Sequence, residues 1–206
     1  MCRIAVSNWE LYNISHDKTD METYTDFLAG IAAGDEKCLG GNERPDILLV
    51  REKQLPETEY LELFARLWKK SREWGDGKMR IIPHTHPAAA RQCGCGWLHL
   101  SFPLFQKYHG TEILSNLHCG LSVHSVEEAK LAQELGAAYV MAGHIFATDC
   151  KKGVPPRGLE FLNEVCESVR IPVYAIGGIH KGNLPLVDRS RAAGACMMSE
   201  YMFFNN

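Results

Sequence analysis

Short apolar segments alternate with longer amphipathic segments along the chain. Eight of the apolar segments predict β-strands, and most of these are continuously apolar rather than alternating. They are residues 3–7, 46–51, 79–84, 96–100, 116–123, 138–143, 172–176 and 195–199. A continuously apolar strand is buried on both faces, which is typical of a parallel sheet covered by helices.

The segments between the strands carry apolar side chains at helical spacing, which predicts amphipathic helices. One of these helices spans residues 56–74. Another begins at Ser125, which forms a capping box with Glu128, and ends at Gly136. A third spans residues 159–169, where the apolar side chains again form a single stripe.

Two long polar segments, residues 7–19 and 34–45, predict connections rather than regular elements. The second is rich in glycine and charge, which is typical of a surface loop. No low-complexity tract or interdomain linker interrupts the chain.

The same local order of residues occurs three times: a helix ends at a glycine, a small residue follows and a strand begins. Repeated βα units with eight strands predict an α/β protein of the TIM (β/α)8 barrel class, as a single domain over residues 1–206. Only residues 200–206 follow the eighth strand, so we expect a truncated last helix. A doubly wound open sheet is the alternative, and it ranks lower because no G-x-G-x-x-G motif follows the first strand.

The composition argues against several classes of function. Apolar residues make up 46% and charged residues 23% of the chain, and the net charge of −3 gives no support to nucleic-acid binding. No segment approaches the roughly 18 consecutive apolar residues of a membrane span, and the N-terminus lacks an export signal, so we expect a cytoplasmic protein. A truncated last helix would leave apolar barrel wall uncovered, so we expect a homodimer.

Eight cysteines are many for this length, and they predict mostly buried thiols in a reducing compartment. Cys93 and Cys95 form the one close pair in the sequence. A zinc site there is the alternative, but it would need two further ligands that the sequence does not clearly offer. We therefore do not expect a zinc ion at this pair.

Charged and polar groups follow several predicted strands, where a barrel of this class places its chemistry. Arg51 and Lys53 suit an anionic substrate, with a solvated approach to the next helix as an equal alternative. His84 and His86 are candidates for acid–base or metal-binding roles, with polar lining as the alternative. In an extended chain their rings would point the same way. Ser122, near the end of the fifth strand, is a further candidate.

The loop after the sixth strand concentrates the most reactive groups of the chain. It contains His144, Thr148, Asp149, Cys150 and Lys151 within eight residues. We take the histidine, the threonine and the lysine as candidate site residues. Lysine neighbours could activate the thiol, but a bystander thiol is the favoured interpretation.

Backbone N–H groups after the last two strands predict a phosphate site. Gly177 and Gly178 follow the seventh strand, and Ser199 opens a short helix after the eighth. Phosphate sites recur at these two strand ends in barrels of this class, because N–H groups at a helix N-terminus point at the anion. A glycine pair alone is a weak signal, and its combination with the eighth strand favours phosphate binding.

Together these motifs resemble the thiamine phosphate synthase/TenI superfamily over about residues 45–200. The resemblance rests on S-V-H-S-V-E-E-A from residue 122, L-G-A-A-Y-V from 135, G-H-I-F-A-T-D-C-K-K-G from 143, R-G-L from 157, I-P-V-Y-A-I-G-G-I from 171 and Asn183. It implies a TIM barrel that binds a small thiazole phosphate.

This superfamily has two branches, and the resemblance implies different chemistry for each. Thiamine phosphate synthase joins a pyrimidine diphosphate to a thiazole phosphate and needs magnesium, which is bound by aspartates after strands 3 and 4. TenI is a tautomerase that aromatises the thiazole precursor of thiamin. Residues 84–86 (His-Thr-His) and 100–103 (Leu-Ser-Phe-Pro) stand at those positions here, so both carboxylates are missing.

The loop after the sixth strand also looks like TenI, in which the corresponding histidine is the proposed acid–base residue, a role we carry to His144. The resemblance therefore implies a thiazole tautomerase, an isomerase that removes a proton from the ring carbon bearing the carboxylate and delivers a proton to the exocyclic ylidene carbon. Such a reaction implies neither a metal ion nor another cofactor. Arg51 or Lys53 would hold that carboxylate, and the predicted phosphate site would hold the phosphate. The alternatives are a thiamine phosphate synthase and a non-catalytic regulatory protein that binds a thiazole phosphate.

Overall fold

The computed structural model describes residues 1–16 and 19–203, and within them all eight predicted strands are present. They are β1 (Cys2–Val6), β2 (Ile47–Val50), β3 (Arg80–Pro83), β4 (Trp97–Ser101), β5 (His118–Val123), β6 (Tyr139–Gly143), β7 (Val173–Ile176) and β8 (Gly194–Met197). The strand pairs are parallel, and the strand order is β3-β2-β1-β8-β7-β6-β5-β4. This order, with helices alternating between the strands, confirms the TIM (β/α)8 barrel class.

Ten α-helices lie in the described ranges. They are α1 (Trp9–Ser15), α2 (Met21–Ala33), α3 (Glu36–Leu39), α4 (Glu57–Trp74), α5 (Pro87–Cys93), α6 (Phe102–Tyr108), α7 (Val126–Glu134), α8 (Gly158–Ser168), α9 (Leu184–Asp188) and α10 (Ser199–Met202). The short α10 is the predicted helix after β8, and residues 204–206 lie outside the described residues. None of these ten helices is both long and apolar enough to cross a membrane.

Each segment predicted as a long polar connection contains a short helix. α1 lies in the first segment, where Asn8 Oδ1 accepts a hydrogen bond from Leu11 N at 2.9 Å. α3 lies in the second, where Asp35 Oδ1 accepts from Lys37 N at 3.0 Å. The prediction of connections without regular structure is therefore wrong in part, because a capping side chain starts a helix without an obvious apolar stripe. Residues 17–18 of the first segment lie outside the described residues.

The chain divides into two compact units. The first unit consists of Met1–Arg3 and Trp97–Met197, and the second consists of Ile4–Gly96 and Met198–Asn206. The single domain predicted over residues 1–206 stays a prediction.

The core of the second unit is built from strands β1–β3 and from α2 and α4, which pack against each other. The fully buried apolar side chains of this core include Ile4, Leu28, Ile31, Leu48, Phe64, Leu67 and Ile82. Tyr60 on α4 is also fully buried, and its hydroxyl donates to Val50 O at 2.7 Å and accepts from His84 N at 2.9 Å. This hydroxyl therefore ties α4 to the ends of β2 and β3, where predicted site residues begin.

In the first unit, the ring of Tyr139 packs on Gly120, its register partner on β5. A Cβ atom on Gly120 would lie 1.9 Å from that ring, so the contact requires glycine. The Tyr139 hydroxyl lies 3.1 Å from Nδ1 of His99, which is buried and pairs in register with Gly120. Register partners lie on the same face of a sheet, so His99, Gly120 and Tyr139 form one layer across β4, β5 and β6. A hydrogen bond between the His99 and Tyr139 side chains joins the two ends of this layer.

Gly120→Ala is expected to lower the free energy of unfolding by about 1–3 kcal/mol, because the added methyl group displaces the Tyr139 ring. The same change in a Tyr139→Ala background should cost clearly less, since the colliding ring is gone. Chemical denaturation of the wild type, both single variants and the double variant measures these costs. An equal cost in both backgrounds would contradict the contact.

Ser125→Ala is expected to cost about 1 kcal/mol of stability, because Ser125 Oγ accepts from Glu128 N at 3.0 Å at the start of α7. Ser125→Asp should keep most of the stability, since a carboxylate is also a good helix cap. Ser168→Ala is the matched control, because that hydroxyl donates to Val165 O within α8 and caps no N-terminus. Thermal unfolding measures all three variants, and a Ser125→Ala protein as stable as wild type would exclude the capping role.

Candidate anion-binding and active site

The loop after β6 is held against the end of β7 by backbone hydrogen bonds. Ile145 N donates to Ile176 O, and Phe146 N donates to Gly177 O, both at 3.0 Å. These bonds continue the pairing of the two strands into the loop. His144, at the start of the loop, is consequently buried, with 5% of its surface exposed.

The His144 imidazole bonds to its own loop. Its Nε2 lies 3.2 Å from Val154 O, and the His144 carbonyl accepts from Arg157 N at 3.0 Å. The peptide bond between Gly143 and His144 is cis. Because a carbonyl oxygen only accepts, His144 Nε2 carries a hydrogen and donates it to Val154 O.

Gly177 and Gly178 permit this close approach of two backbone segments. Their φ angles are +102° and +66°, which favour glycine. A Cβ atom on Gly177 would lie 2.3 Å from His144 Cβ, and one on Gly178 would lie 2.3 Å from Ala147 O. No described residue accepts a hydrogen bond from Gly177 N or Gly178 N. These two N–H groups after β7 can therefore donate hydrogen bonds to an anion.

The Asn183 side chain bridges the turn that contains these glycines. Its Nδ2 donates to Gly178 O at 2.8 Å, and its Oδ1 accepts from His180 N at 2.9 Å. Asn183 carried part of the family resemblance. Its two bonds fix the Gly178 carbonyl and thereby the orientation of the turn.

Thr148 and Lys151 lie in the outer part of the loop after β6. Thr148 Oγ1 accepts from Cys150 N at 3.4 Å and opens a 3-10 turn over Asp149–Lys151. Lys151 and Cys150 are exposed. The threonine hydroxyl thus supports the turn, and a role of Thr148 or Lys151 in ligand binding stays a prediction.

Ser122 on β5 bonds to a histidine that sequence patterns did not single out. Ser122 Oγ lies 2.9 Å from His99 Nε2, on the opposite side of the ring from the Tyr139 hydroxyl. His99 is 1% exposed whereas Ser122 is half-buried, so Ser122 is the member of this pair that reaches solvent. His99 lies within the apolar run Trp-Leu-His-Leu, which signals a buried strand but no polar network.

In the second unit, Arg51 and Lys53 follow β2 as predicted. Arg51 N donates to Ser7 Oγ at 2.8 Å, the Arg51 side chain is half-buried, and Lys53 is exposed. Ser199, another predicted site residue of this unit, begins the four-residue α10. The ligand-binding roles of these three candidates stay predictions.

Glu52, between the two cations, is a buried carboxylate that no sequence pattern predicts. Its Oε1 accepts from Ser7 Oγ and Tyr24 OH, each at 2.5 Å. Its Oε2 accepts from Trp9 N at 2.8 Å and Gln54 Nε2 at 3.1 Å. Three of these donors lie 28 to 45 residues away along the chain, so no local pattern reveals the network.

Burial raises the pKa of Glu52 above its ordinary value, and hydrogen bonds led by that from Ser7 offset only part of the rise. Burial, together with the nearby Glu52 carboxylate, also raises the pKa of Tyr24 well above its ordinary value. The Tyr24 phenol therefore remains a hydrogen-bond donor to Glu52 at neutral pH.

The segment after β3 is not extended. Thr85 has a φ of +72°, and its Oγ1 lies 2.6 Å from His84 Nδ1. The His86 ring packs on Tyr60 with 4.3 Å between ring centroids, and burial lowers the pKa of His86 against the weaker opposite effect of Glu57. The extended chain on which the expectation for the two rings depends is therefore absent, because the positive φ of Thr85 turns the chain between them.

All eight cysteines are free thiols, and their burial varies. Cys119 and Cys196 are buried, Cys150 is exposed and the others are half-buried, so the prediction of mostly buried thiols holds only in part. Burial raises the pKa of Cys119 to about 11, which favours the neutral thiol. Over residues 1–16 and 19–203, no three His, Cys, Asp or Glu side chains gather to hold a metal ion, at Cys93 and Cys95 or elsewhere.

Comparisons with known proteins point to one family. A family model described as Thiamine monophosphate synthase matches residues 11–201. The thiamine-phosphate synthase of Syntrophomonas wolfei subsp. wolfei is 32% identical over 159 residues, which cover 74% of this chain and 73% of that protein. The thiamine-phosphate synthase of Pyrococcus furiosus is 45% identical over 91 residues, 44% of each chain.

A solved structure agrees with these sequence matches. It is that of a thiamine phosphate pyrophosphorylase from Pyrococcus furiosus, with a TM-score of 0.70 and 27% sequence identity. The match covers 96% of this chain and 85% of that chain.

The names of the relatives correct the expected type of enzyme. They are synthases, which are transferases, so the prediction of an isomerase is wrong. His144 keeps its place as a candidate site residue, and its role stays a prediction. The match over residues 11–201 and the relative 32% identical over three quarters of the chain show that this chain belongs to the thiamine monophosphate synthase family.

Proposed function

We propose that the chain acts as a thiamine-phosphate synthase, which joins a pyrimidine diphosphate to a thiazole phosphate. The observation that carries this proposal is the glycine turn after β7, whose two N–H groups have no acceptor in the described part of the chain. The proposal is further supported because two relatives of this chain are named thiamine-phosphate synthase.

Both substrates of such a reaction carry phosphate groups, so anion binding is the first task of the protein. In the first unit, Gly177 N and Gly178 N suit a phosphate group. In the second unit, Arg51 and Lys53 suit a phosphate group as cations, and the guanidinium of Arg51 can bind two of its oxygens at once. The further candidate contacts are His84, His86, Ser122, Thr148, Lys151 and Ser199.

The reaction requires stabilisation of the negative charge on the departing diphosphate. The thiazole ring nitrogen attacks through its lone pair, and the bond between the pyrimidine methylene carbon and the diphosphate breaks. The diphosphate leaves as an anion, so donors aimed at it contribute most. No proton leaves the attacking nitrogen, which agrees with a buried His144 whose Nε2 already donates to Val154 O.

Magnesium, which the family resemblance implies for the synthase, does not fit the residues after β3 and β4. Mg²⁺ takes oxygen ligands in near-octahedral geometry. His84 and His86 follow β3 with imidazole nitrogens, and β4 ends at Ser101 with Phe102 after it. The described ranges hold no cluster of three acidic, histidine or cysteine side chains suited to a metal. No step of the proposed reaction is therefore assigned to a metal ion.

A non-catalytic protein that binds a thiazole phosphate is the second candidate, and the same substitutions favour it. Without carboxylates after β3 and β4, a diphosphate leaving group lacks the metal that would neutralise its charge. The glycine turn after β7 suits a phosphate in either case. Binding without turnover distinguishes the second candidate from the first.

Mixing the wild-type protein with thiazole phosphate and pyrimidine diphosphate should produce thiamine phosphate and inorganic diphosphate, as measured by mass spectrometry. Arg51→Ala should lower kcat/KM roughly 10- to 100-fold, the effect of losing a hydrogen bond to a charged group. Arg66→Ala, an exposed arginine on α4, is the matched control and should change little.

Each reaction is run with added magnesium and with excess chelator. The synthase would be excluded if thiamine phosphate formed only at the protein-free rate, both with magnesium and with chelator. If thiazole phosphate nevertheless bound in calorimetry, the non-catalytic binding protein would take its place. Absence of both thiamine phosphate formation and thiazole phosphate binding would exclude both candidate functions.

Gly177→Ala should weaken thiazole phosphate binding by roughly 10-fold or more, because its Cβ collides with His144 and its φ of +102° is strained for alanine. Gly182→Ala is the matched control, since that Cβ meets only the exposed His180 side chain, at 3.0 Å. Isothermal titration calorimetry measures both affinities. A Gly177→Ala protein with wild-type affinity would contradict a phosphate site at this turn.

A further inference from the structure

Glu52 lies next to two proposed anion-binding cations, yet its carboxylate has no room for a ligand of its own. It is 2% exposed and accepts hydrogen bonds from four donors. An ionised carboxylate offers about four lone-pair sites. The four donors therefore saturate it, and Glu52 can act only through the residues it holds.

The donors to Glu52 come from separate elements of the second unit. Ser7 follows β1, Trp9 N opens α1, Tyr24 lies on α2, and Gln54 belongs to the segment after β2. The carboxylate at Trp9 N also places negative charge at the N-terminus of α1, which is favourable. Glu52 thus fastens the segment after β2 to three other elements.

The Ser7 hydroxyl connects this carboxylate to the backbone of Arg51. Its oxygen donates to Glu52 Oε1 at 2.5 Å and accepts from Arg51 N at 2.8 Å. Arg51 and Glu52 are consecutive, so one hydroxyl holds the backbone of the first and the side chain of the second. This pair of bonds restricts the direction in which the Arg51 side chain leaves the chain.

We propose that Glu52 is a positioning residue, which fixes the backbone of residues 51 and 52 so that Arg51 presents its charge to a phosphate or diphosphate group. The inference rests on the anion-binding role of Arg51 in the proposed function. Glu52 itself touches no substrate, because burial and four donors enclose its carboxylate.

Glu52→Gln tests this role with little change in side-chain size. The amide NH₂ group must face at least one of the former donors, so buried donors lose their acceptor and the segment shifts. Residues that orient metal ligands through hydrogen bonds typically contribute about 10- to 100-fold to metal affinity. We expect Glu52→Gln to weaken anion binding about 10-fold by the same reasoning.

The experiment is calorimetric titration of the full chain with inorganic diphosphate. The proteins compared are the wild type, Arg51→Ala, Glu52→Gln and the double variant. Because Glu52 acts through Arg51, the double variant should bind about as weakly as Arg51→Ala alone. Ile31→Val, which removes one methyl group from the buried face of α2, controls for a loss of stability and should bind as the wild type does.

Three results would overturn the positioning role. One is wild-type affinity in Glu52→Gln while Arg51→Ala binds weakly. Another is additive losses in the double variant, which would show that Glu52 acts independently of Arg51. The third is an equal loss of affinity in Ile31→Val, which would reduce the effect to stability.

A different result separates this inference from the proposed function. If wild type and Arg51→Ala both fail to bind diphosphate, the anion-binding role of Arg51 in the proposed function is wrong. The positioning role of Glu52 is then wrong as well. Should Glu52→Gln not fold, Ser7→Ala replaces it, since that variant removes only the hydroxyl between Glu52 Oε1 and Arg51 N. Ser7→Ala should again weaken binding in the wild-type background and not in the Arg51→Ala background.

Discussion

The close approach of two backbone segments, at the ends of β6 and β7, is the constraint on which the site in the first unit depends. The loop after β6 lies so near the turn after β7 that a single Cβ atom on Gly177 would collide with His144. The same approach buries the His144 ring and leaves the Gly177 and Gly178 N–H groups without an acceptor among the described residues. One packing requirement thus accounts for a buried imidazole and for two backbone N–H groups without an acceptor among the described residues.

In the second unit, a buried carboxylate rather than a pair of glycines holds the candidate site residues in place. The carboxylate of Glu52 gathers donors from two helices and from the end of β1 around the segment after β2. Burial makes the ionised form costly, and four hydrogen bonds compensate for part of that cost. A buried, saturated carboxylate of this kind holds its neighbours rather than reacting, and the neighbours here are the two cations.

The sequence predicted the strands well because most of them are continuous apolar runs, which are typical of a parallel sheet covered on both faces. It predicted the family because the motifs are contiguous segments, whereas the predicted type of enzyme, taken from the missing carboxylates after β3 and β4 and from the loop after β6, was wrong. It could not predict the turn at Thr85, since a positive φ in a residue other than glycine has no local signature. Nor could it reveal Glu52 or His99, because their bonding partners come from distant segments and exist only in the folded chain.

A crystal structure of the protein with thiamine phosphate would test the anion-binding role of the glycine turn most directly. We expect a phosphate oxygen within about 2.7–3.2 Å of Gly177 N or Gly178 N, the range of an N–H···O hydrogen bond. A phosphate bound elsewhere, with both of these N–H groups facing solvent, would contradict that role.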